Sequence, residues 1–460
     1  MRTGAEYRDA LRNRAYDGSF HRFKTFFGSA LMVGMNTGLE GMRRKHDTAR
    51  FVKNVLPNGV TIWNQENSIL VDEGIGIMGF LPNVGAQLDP RNKPGLAHFF
   101  EHMPFRGTKN LPSTEAIEEP IRERGGDLDG HTTDTRTEFT VSGLPSQDFE
   151  LGLQTLAELM MVPLIREEDV AIEKRIVSQN EYVEAAADSE RARGNAMVNE
   201  LFKDHPRGHD VLGEPSIIEA MTAGQLLQFH KAHYHAGNFH LAFGGDTPDI
   251  LTVYEMVNKY FGHLSQNLPT LNPEGPLPFD RSGTAQISGS SYGLDSISLV
   301  YPMRPGSESE LDRLHFFAGM ISGGITSPLG LELREKRGMA YETDQCSTLI
   351  YPDMWCFEAT FVTPANNFRQ VEEVFRETLI ELGPALVLRR QKERQYARQS
   401  EFTHPVNTCS NVSNEITNFG YLTSHHEDEQ TEDNLTLDQV FSVRDYLLET
   451  EPLTIEIRAG

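Results

Sequence analysis

The sequence is poor in cysteine. Only three cysteines occur in 460 residues, Cys346, Cys356 and Cys409, and no two of them form a CxxC pair. An odd number of widely separated thiols fits neither a disulfide framework nor a thiolate metal site. We therefore expect the three cysteines to be free thiols inside the fold.

Long apolar runs are also absent. No stretch reaches the ~18 consecutive apolar residues that a membrane span requires. The most apolar early segment, 26–35, is interrupted by Gly28 and Ser29 and lies too far from the N-terminus for an ordinary signal peptide. We predict no membrane span and a soluble protein, with the cytoplasm favoured and an organelle or the periplasm left open.

Positive charge is scarce over most of the chain. The 42 lysines and arginines are outnumbered by 66 acidic residues, for a formal net charge of −24, which argues against nucleic acid as a partner. Residues 1–50 reverse this balance, because they carry ten basic and five acidic residues. We interpret residues 1–50 as an N-terminal extension of the main fold.

The length predicts two domains of about 200 residues each. A proline-rich segment near the middle is typical of an extended linker. We predict a catalytic half at 51–264, a linker at 265–283, and a second half at 284–460.

Two pairs of similar segments indicate an internal repeat. HFFEHM at 98–103 matches HFFAGM at 315–320, and VSQNEYV at 177–183 matches ARQSEFT at 397–403. The separations agree, with 83 positions from His98 to Glu181 and 86 from His315 to Glu401. We expect two similar halves, of which only the first keeps a polar site.

The periodicity mixes helices and strands without regular βαβ alternation, which predicts an α+β fold. The predicted strands cover 58–65, 74–82, 135–143 and 238–245, and the predicted helices cover 95–106, 114–123, 147–161, 167–187 and 223–234.

The polar residues of HFFEH have the spacing of a metal site. His98, Glu101 and His102 project from one face of a helix, because positions i, i+3 and i+4 lie close together around its axis. Two imidazoles one turn apart can bind Zn²⁺, and the glutamate between them can reach a bound water as a general base. A solvated polar stripe on the helix is the alternative.

Zinc in a catalytic site needs a third protein ligand. The repeat nominates Glu181, on an acidic helix. Glu173, Glu184 and Asp188 are neighbouring alternatives, and helical spacing does not choose among the glutamates.

The flanking sequence resembles the pitrilysin/insulinase family of inverted-motif (HxxEH) zinc metallopeptidases, the inverzincins, in their short, processing-peptidase-like form. The resemblance is carried by GLAHFFEHMPFRGT at 95–108, HPRGHDVLGEP at 205–215 and SPLGLELREKRGMAY at 327–341, and it covers roughly residues 55–450. It implies a clamshell of two homologous, α/β-sandwich-like halves that enclose a chamber, with a catalytic first half and an inert second half.

The resemblance also implies roles for individual residues. It makes His98, His102 and Glu181 the zinc ligands and Glu101 the residue that activates the water. Arg334 and Tyr341 would bind the substrate. The implied function is a zinc endopeptidase that cleaves peptides or unfolded segments, as a homodimer or as a heterodimer with a related subunit.

Two positions depart from the family pattern; the first favours an alternative function, and the second concerns substrate pairing. Lys174 stands where the family often has a supporting glutamate, although Glu173 lies beside it, and Asp129-Gly130 replaces a common Asn-Ala in a strand near the site. A chain with a degraded site would serve as a non-catalytic assembly or scaffold subunit of a processing-peptidase-like complex.

Overall fold

The computed structural model describes residues 50–66, 74–183, 188–270, 273, 275–289, 292–341, 345–398, 405–419 and 435–459. Residues 46–460 form one compact unit. Nearly all of the predicted N-terminal extension, residues 1–49, therefore lies outside the described residues, as does the repeat position Glu401.

The first sheet has six strands in the order β1-β2-β6-β3-β5-β4. Only the pair β2 and β6 is parallel, and the other four neighbouring pairs are antiparallel. The strands are β1 (Arg50–Val55), β2 (Thr61–Glu66), β3 (Ile75–Pro82), β4 (Asp127–Thr132), β5 (Arg136–Leu144) and β6 (His240–Gly245).

The second sheet has five strands in the order β7-β11-β8-β10-β9, with β7 and β11 as its parallel pair. The strands are β7 (Gly283–Ser288), β8 (Ser296–Met303), β9 (Cys346–Tyr351), β10 (Met354–Val362) and β11 (Leu453–Arg458).

The two sheets share one topology. When β2, β6, β3, β5 and β4 are matched in that order with β7, β11, β8, β10 and β9, every neighbour and every strand direction agrees. Only β1 has no counterpart among the described strands. The fold is thus α+β, with two halves of similar topology, as the repeat predicts.

Helices cover both sheets. In the first half they are α1 (Leu96–His102), α2 (Thr114–Arg122), α3 (Phe149–Met161), α4 (Glu167–Arg175), a π-helix (Ile176–Glu181), α5 (Ser189–Leu201), α6 (Pro215–Ala220), α7 (Ala223–His233) and α8 (Ile250–Phe261). In the second half they are α9 (Glu308–Ser322), a second π-helix (Gly330–Lys336), α10 (Phe368–Ile380), α11 (Pro384–Arg398), α12 (Pro405–Phe419) and α13 (Leu437–Glu449). Short 3₁₀ turns occupy Ala86–Leu88, Met103–Arg106, Ser146–Asp148, Pro206–Gly208, Ala236–Asn238, Pro278–Asp280 and Ala365–Asn367.

The observed elements match most of the predicted ones. The helix expected at 167–187 is helical as far as residue 183, and residues 184–187 lie outside the described residues. The α-helical part ends at Arg175, and the chain continues as a π-helix to Glu181. Within the described parts of the chain, no helix has the length and apolar character needed to cross a lipid bilayer.

One helix of each half packs against the sheet of the other half. From α5, Met197 and Leu201 pack against Val300 and Ile455 of the second sheet. From α12, residues Cys409, Val412 and Ile416 pack against Trp63, Met78 and Phe80 of the first sheet. Each sheet is therefore partly covered by a helix from the other side of the predicted linker.

A buried cation also joins the halves. Arg207 is fully buried, and its Nη1 and Nη2 lie 2.5 and 3.2 Å from the two carboxylate oxygens of Asp353. Its Nε donates to Gln87 Oε1 at 3.2 Å, and its guanidinium lies 4.8 Å from the Tyr351 ring centroid. A guanidinium removed from water requires such partners, because an unpaired buried charge is costly.

The Arg207–Asp353 pair yields a test of how firmly the halves are joined. We expect Asp353→Ala to lower the free energy of unfolding by about 2–3 kcal/mol, because it leaves the buried guanidinium without its carboxylate. Urea unfolding measures the change. The matched control is Asp445→Ala, since Asp445 pairs with Arg444 at the surface and should contribute below about 1 kcal/mol. Equal, small effects of both variants would contradict this account.

Candidate metal centre

Helix α1 begins at a buried carboxylate. Asp89 Oδ2 accepts hydrogen bonds from the backbone N–H groups of Gly95 and Leu96 at 2.7 and 3.1 Å, and Oδ1 accepts from Ala97 at 2.9 Å. Gly95 has φ = 90°, and a Cβ there would meet Leu212 O at 2.7 Å, so that the turn requires glycine. Asp89 thereby satisfies three backbone donors and fixes where the helix starts.

The two sides of α1 have different surroundings. Phe99 and Phe100 are fully buried in the main hydrophobic core of the first half. On the other side, the Nε2 atoms of His98 and His102 face each other at 3.3 Å, with the rings nearly perpendicular. Burial of the phenylalanines thus holds both imidazoles in place, as the HxxEH spacing predicts.

Glu181 closes a triangle with the two imidazoles. Its Oε1 lies 3.2 Å from His98 Nε2, and its Oε2 lies 3.5 Å from His102 Nε2. Among the His, Cys, Asp and Glu residues that the structure describes, His98, His102 and Glu181 are the group that can hold a metal ion. Asp188 instead caps α5, and Glu184 lies outside the described residues.

The donor triangle fits zinc. Tetrahedral zinc with bonds of about 2.0–2.2 Å places its ligand atoms roughly 3.3–3.6 Å apart. The imidazole nitrogens lie 3.3 Å from each other, and they lie 3.2 and 3.5 Å from the two different carboxylate oxygens of Glu181. Glu181 Oε2 is buried and has no hydrogen-bond donor within the described chain. A shared cation explains both the facing imidazole nitrogens and this unsatisfied oxygen.

The charges around the triangle are strongly coupled. Burial alone lowers the pKa of His102, but the hydrogen bond to Glu173 and the negative charges of Glu101 and Glu181 outweigh it and raise the pKa to about 9. Burial would raise the pKa of Glu181, yet the hydrogen bond to His98 and the nearby imidazoles lower it to about 2. The site therefore favours positive charge at its centre.

Glu101 is held against strand β4. Its Oε2 accepts a hydrogen bond from Thr132 Oγ1 at 3.2 Å. Its Oε1 occupies space that a side chain at position 130 would need, since a Cβ on Gly130 would lie 2.3 Å from it. Thr132 and Gly130 thus fix the carboxylate beside the histidines.

Glu173 supports one of the imidazoles. Its Oε2 lies 3.3 Å from His102 Nδ1, and its Oε1 pairs with Arg106. A proton shared with Glu173 at Nδ1 leaves the Nε2 lone pair of His102 directed at the triangle. Glu173, rather than Lys174, therefore makes the contact to His102 that the family's supporting glutamate would be expected to make.

The π-helix explains why the supporting residue is Glu173. Two turns of α-helix take about seven residues, which would align Lys174 with Glu181. A π-helical turn takes up one more residue, because its hydrogen bonds run from i to i+5. With the π-helix at Ile176–Glu181, a separation of eight residues returns to the same face, and Glu173 aligns with Glu181.

The structure places Arg334 and Tyr341 together in the second half. Arg334 Nη1 donates to the backbone oxygen of Tyr341 at 3.0 Å, and its guanidinium lies 4.8 Å from the Tyr341 ring centroid. Tyr341 is 80% exposed. Within the described chain, no hydrogen bond, ion pair or ring contact joins either residue to His98, Glu101, His102 or Glu181.

Two family models match most of the chain. The family model described as Insulinase (Peptidase family M16) matches residues 78–214, and the one described as Peptidase M16 inactive domain matches residues 220–384. The first match contains all three residues of the donor triangle, Glu101 and Glu173. The second contains Arg334 and Tyr341.

Individual relatives cover much of the chain. A protein named as an uncharacterized zinc protease in Rickettsia bellii is 27% identical over 292 residues, or 62% of this chain and 67% of that protein. The mitochondrial-processing peptidase subunit beta of Saccharomyces cerevisiae is 22% identical over 426 residues, or 87% and 89% of the two chains.

Solved structures share the fold. A protease from Helicobacter pylori superposes with a TM-score of 0.72 at 19% identity, covering 89% of this chain and 99% of the other. The periplasmic protease PqqL from Escherichia coli gives a TM-score of 0.71 at 15% identity, covering 91% of this chain and 48% of that one.

The contact between Glu173 and His102 is testable. We expect Glu173→Gln to weaken zinc binding by about 10- to 100-fold, because a neutral amide supports the imidazole less strongly than a carboxylate. Competition with a chelator of known affinity measures the change. Glu168→Gln is the matched control, since Glu168 is 73% exposed on the same helix. Unchanged affinity in Glu173→Gln would remove Glu173 from the site.

Proposed function

This chain belongs to the insulinase family, peptidase M16, and from that premise we propose that it is a zinc-dependent endopeptidase acting on peptides or unfolded segments. The observation that carries the proposal is the convergence of His98, His102 and Glu181 on one point beside Glu101. Three protein ligands leave zinc an open position, which is typical of catalytic rather than structural sites.

The three metal ligands and Glu101 have different roles in the proposed reaction. Zinc, when held by the triangle, supplies a Lewis acid that polarises the scissile carbonyl and lowers the pKa of water. Glu101 takes the proton from the attacking water and delivers it to the leaving nitrogen as the peptide bond breaks. Thr132 keeps the carboxylate oriented for both transfers through its hydrogen bond.

Strand β4 offers a place for the substrate backbone. It is the last strand in the order of the first sheet, so one of its edges has no neighbour among the described strands. An extended peptide can pair with such an edge through backbone hydrogen bonds. Because Gly130 and Thr132 contact Glu101 from β4, a paired peptide would pass beside the general base.

Arg334 and Tyr341 would hold the substrate and the developing oxyanion. Their mutual contact and the exposure of Tyr341 support a role toward something outside their own half. We assign this role across a dimer, in which the second half of one chain completes the zinc site of another chain, identical or related.

The alternative of a non-catalytic assembly subunit has lost its main support. That support was Lys174 in place of the family's glutamate, and Glu173 meets His102 instead. The residues to which the resemblance assigns metal binding, catalysis and substrate binding, namely His98, Glu101, His102, Glu181, Arg334 and Tyr341, are present in the chain.

The role of Glu101 predicts a separation of binding from catalysis. We expect Glu101→Gln to lower the rate of peptide cleavage by about 10²–10⁴-fold, because general base catalysis is lost. Zinc content should stay unchanged, since Glu101 is not part of the ligand triangle. Glu123→Gln, an exposed position in the same half, is the control. Near-normal turnover in Glu101→Gln would exclude it as the base.

The dimer assignment predicts recovery of activity on mixing. We expect Glu101→Gln and Tyr341→Phe to be nearly inactive alone. In a randomly mixed population, about a quarter of the sites would combine an intact Glu101 with an intact Tyr341 from another chain. Cleavage by the co-expressed variants should therefore reach about a quarter of the native rate. No recovery in a mixed dimer verified by mass would contradict completion of the site by a second chain.

A further inference from the structure

A cavity lies in the second half of the chain, apart from the metal site. It has a volume of about 480 Å³ and is bounded by the end of β8, the first turns of α9 and the middle of α13. Met303, Leu314, Trp355, Val443 and Tyr446 contribute to its wall. None of the metal-site residues lines it, and its size falls within the range of small-molecule sites.

Two guanidinium groups give the cavity a positive rim. Arg313 is fixed by donating from Nε to Ser309 O at 2.9 Å and from Nη1 to Ser442 Oγ at 3.4 Å. Arg304 stacks over the Phe279 ring at 4.6 Å and makes no hydrogen bond or ion pair with the described residues. Arg304 is exposed, so its guanidinium is accessible to an anion at the cavity.

Glu310, the acidic residue of the lining, forms no ion pair with Arg304. Glu310 uses Oε2 to accept from Ser307 N at 2.7 Å at the start of α9, and its Oε1 lies 3.6 Å from Arg313 Nη2. Its charge is therefore directed to the helix cap and to Arg313. The charge that remains available at the cavity is the guanidinium of Arg304, which lies over an aromatic ring.

Trp355 contributes an aromatic ring to the wall. It is 4% exposed, and its indole N–H is shielded from solvent, so the ring rather than the donor is offered to a ligand. The apolar wall and the free cation together suit a ligand with an apolar body and an anionic oxygen head.

We propose that this cavity is a binding site for small apolar carboxylates, with Arg304 as the group that recognises the carboxylate. The aliphatic and aromatic wall takes the hydrocarbon part, and Arg304 discriminates the acid from a neutral analogue.

Tryptophan fluorescence can report on ligand binding in the cavity. Its two tryptophans are Trp63, in the first half, and Trp355, in the cavity wall. In a zinc-loaded Trp63→Phe background, tryptophan fluorescence reports on Trp355 alone. We expect octanoate to change this signal saturably, with a Kd of about 1 mM or below, and octan-1-ol to bind at least about tenfold more weakly. Calorimetry of the native chain with both ligands provides the same comparison without a substitution.

The matched variants identify the cation. Arg304→Gln should weaken octanoate binding by about tenfold or more. Arg389→Gln should leave it unchanged, because Arg389 is a half-exposed arginine of the same half that does not line the cavity. Saturable binding that prefers octanoate and depends on Arg304 would establish the site. Absence of saturation in both methods, equal binding of octan-1-ol, or unchanged binding in Arg304→Gln would overturn it.

Discussion

Two imidazoles from one helix and a carboxylate from another must meet at a single point, and much of the first half is arranged to bring them there. Helix α1 is fixed at its start by Asp89 and along its buried side by Phe99 and Phe100. The π-helix carries Glu181 to the same point from the opposite side. Two facing imidazole nitrogens and a carboxylate oxygen without a hydrogen-bond donor form an arrangement that can hold a cation.

The two halves share one topology but differ at the residues of the candidate metal site. Their sheets have the same order and directions, yet the positions equivalent to Glu101 and His102 in HFFAGM are Ala318 and Gly319. The second half keeps the core, the topology and the first histidine, as His315, but lacks the glutamate and the second histidine. It contributes α12 to the first sheet and, through Asp353, the partner of a buried cation. The second half also contains the pair Arg334 and Tyr341 and the cavity at Arg304.

Sequence reasoning recovers the local features well, because they depend on short spacings. The helix that holds HFFEH, the strands at β2, β3, β5 and β6, and the repeat are all readable from periodicity and from matching segments. The choice of Glu181 needed the repeat and the family resemblance, because helical spacing left Glu173 as an equal alternative. In the structure both glutamates contact the histidine pair, Glu181 at the facing Nε2 atoms and Glu173 at Nδ1 of His102.

The features that sequence reasoning missed depend on distant contacts. Asp89 lies outside the motif and caps α1 only because the loop folds back, and Thr132 reaches Glu101 across 31 positions. The π-helix changes the register by one residue, which no α-helical pattern reveals. Likewise, the exchange of α5 and α12 between the sheets has no signature in either helix alone.

The central claim is that His98, His102 and Glu181 bind one zinc ion, and metal analysis tests it most directly. Zinc would be measured by mass spectrometry on the native chain, on Glu181→Gln and on the exposed control Glu190→Gln, all dialysed together. The account predicts close to one zinc per chain in the native protein and in the control, and a loss of most of it in Glu181→Gln. A native chain without zinc, or a Glu181→Gln variant that holds it as tightly as the control, would contradict the account.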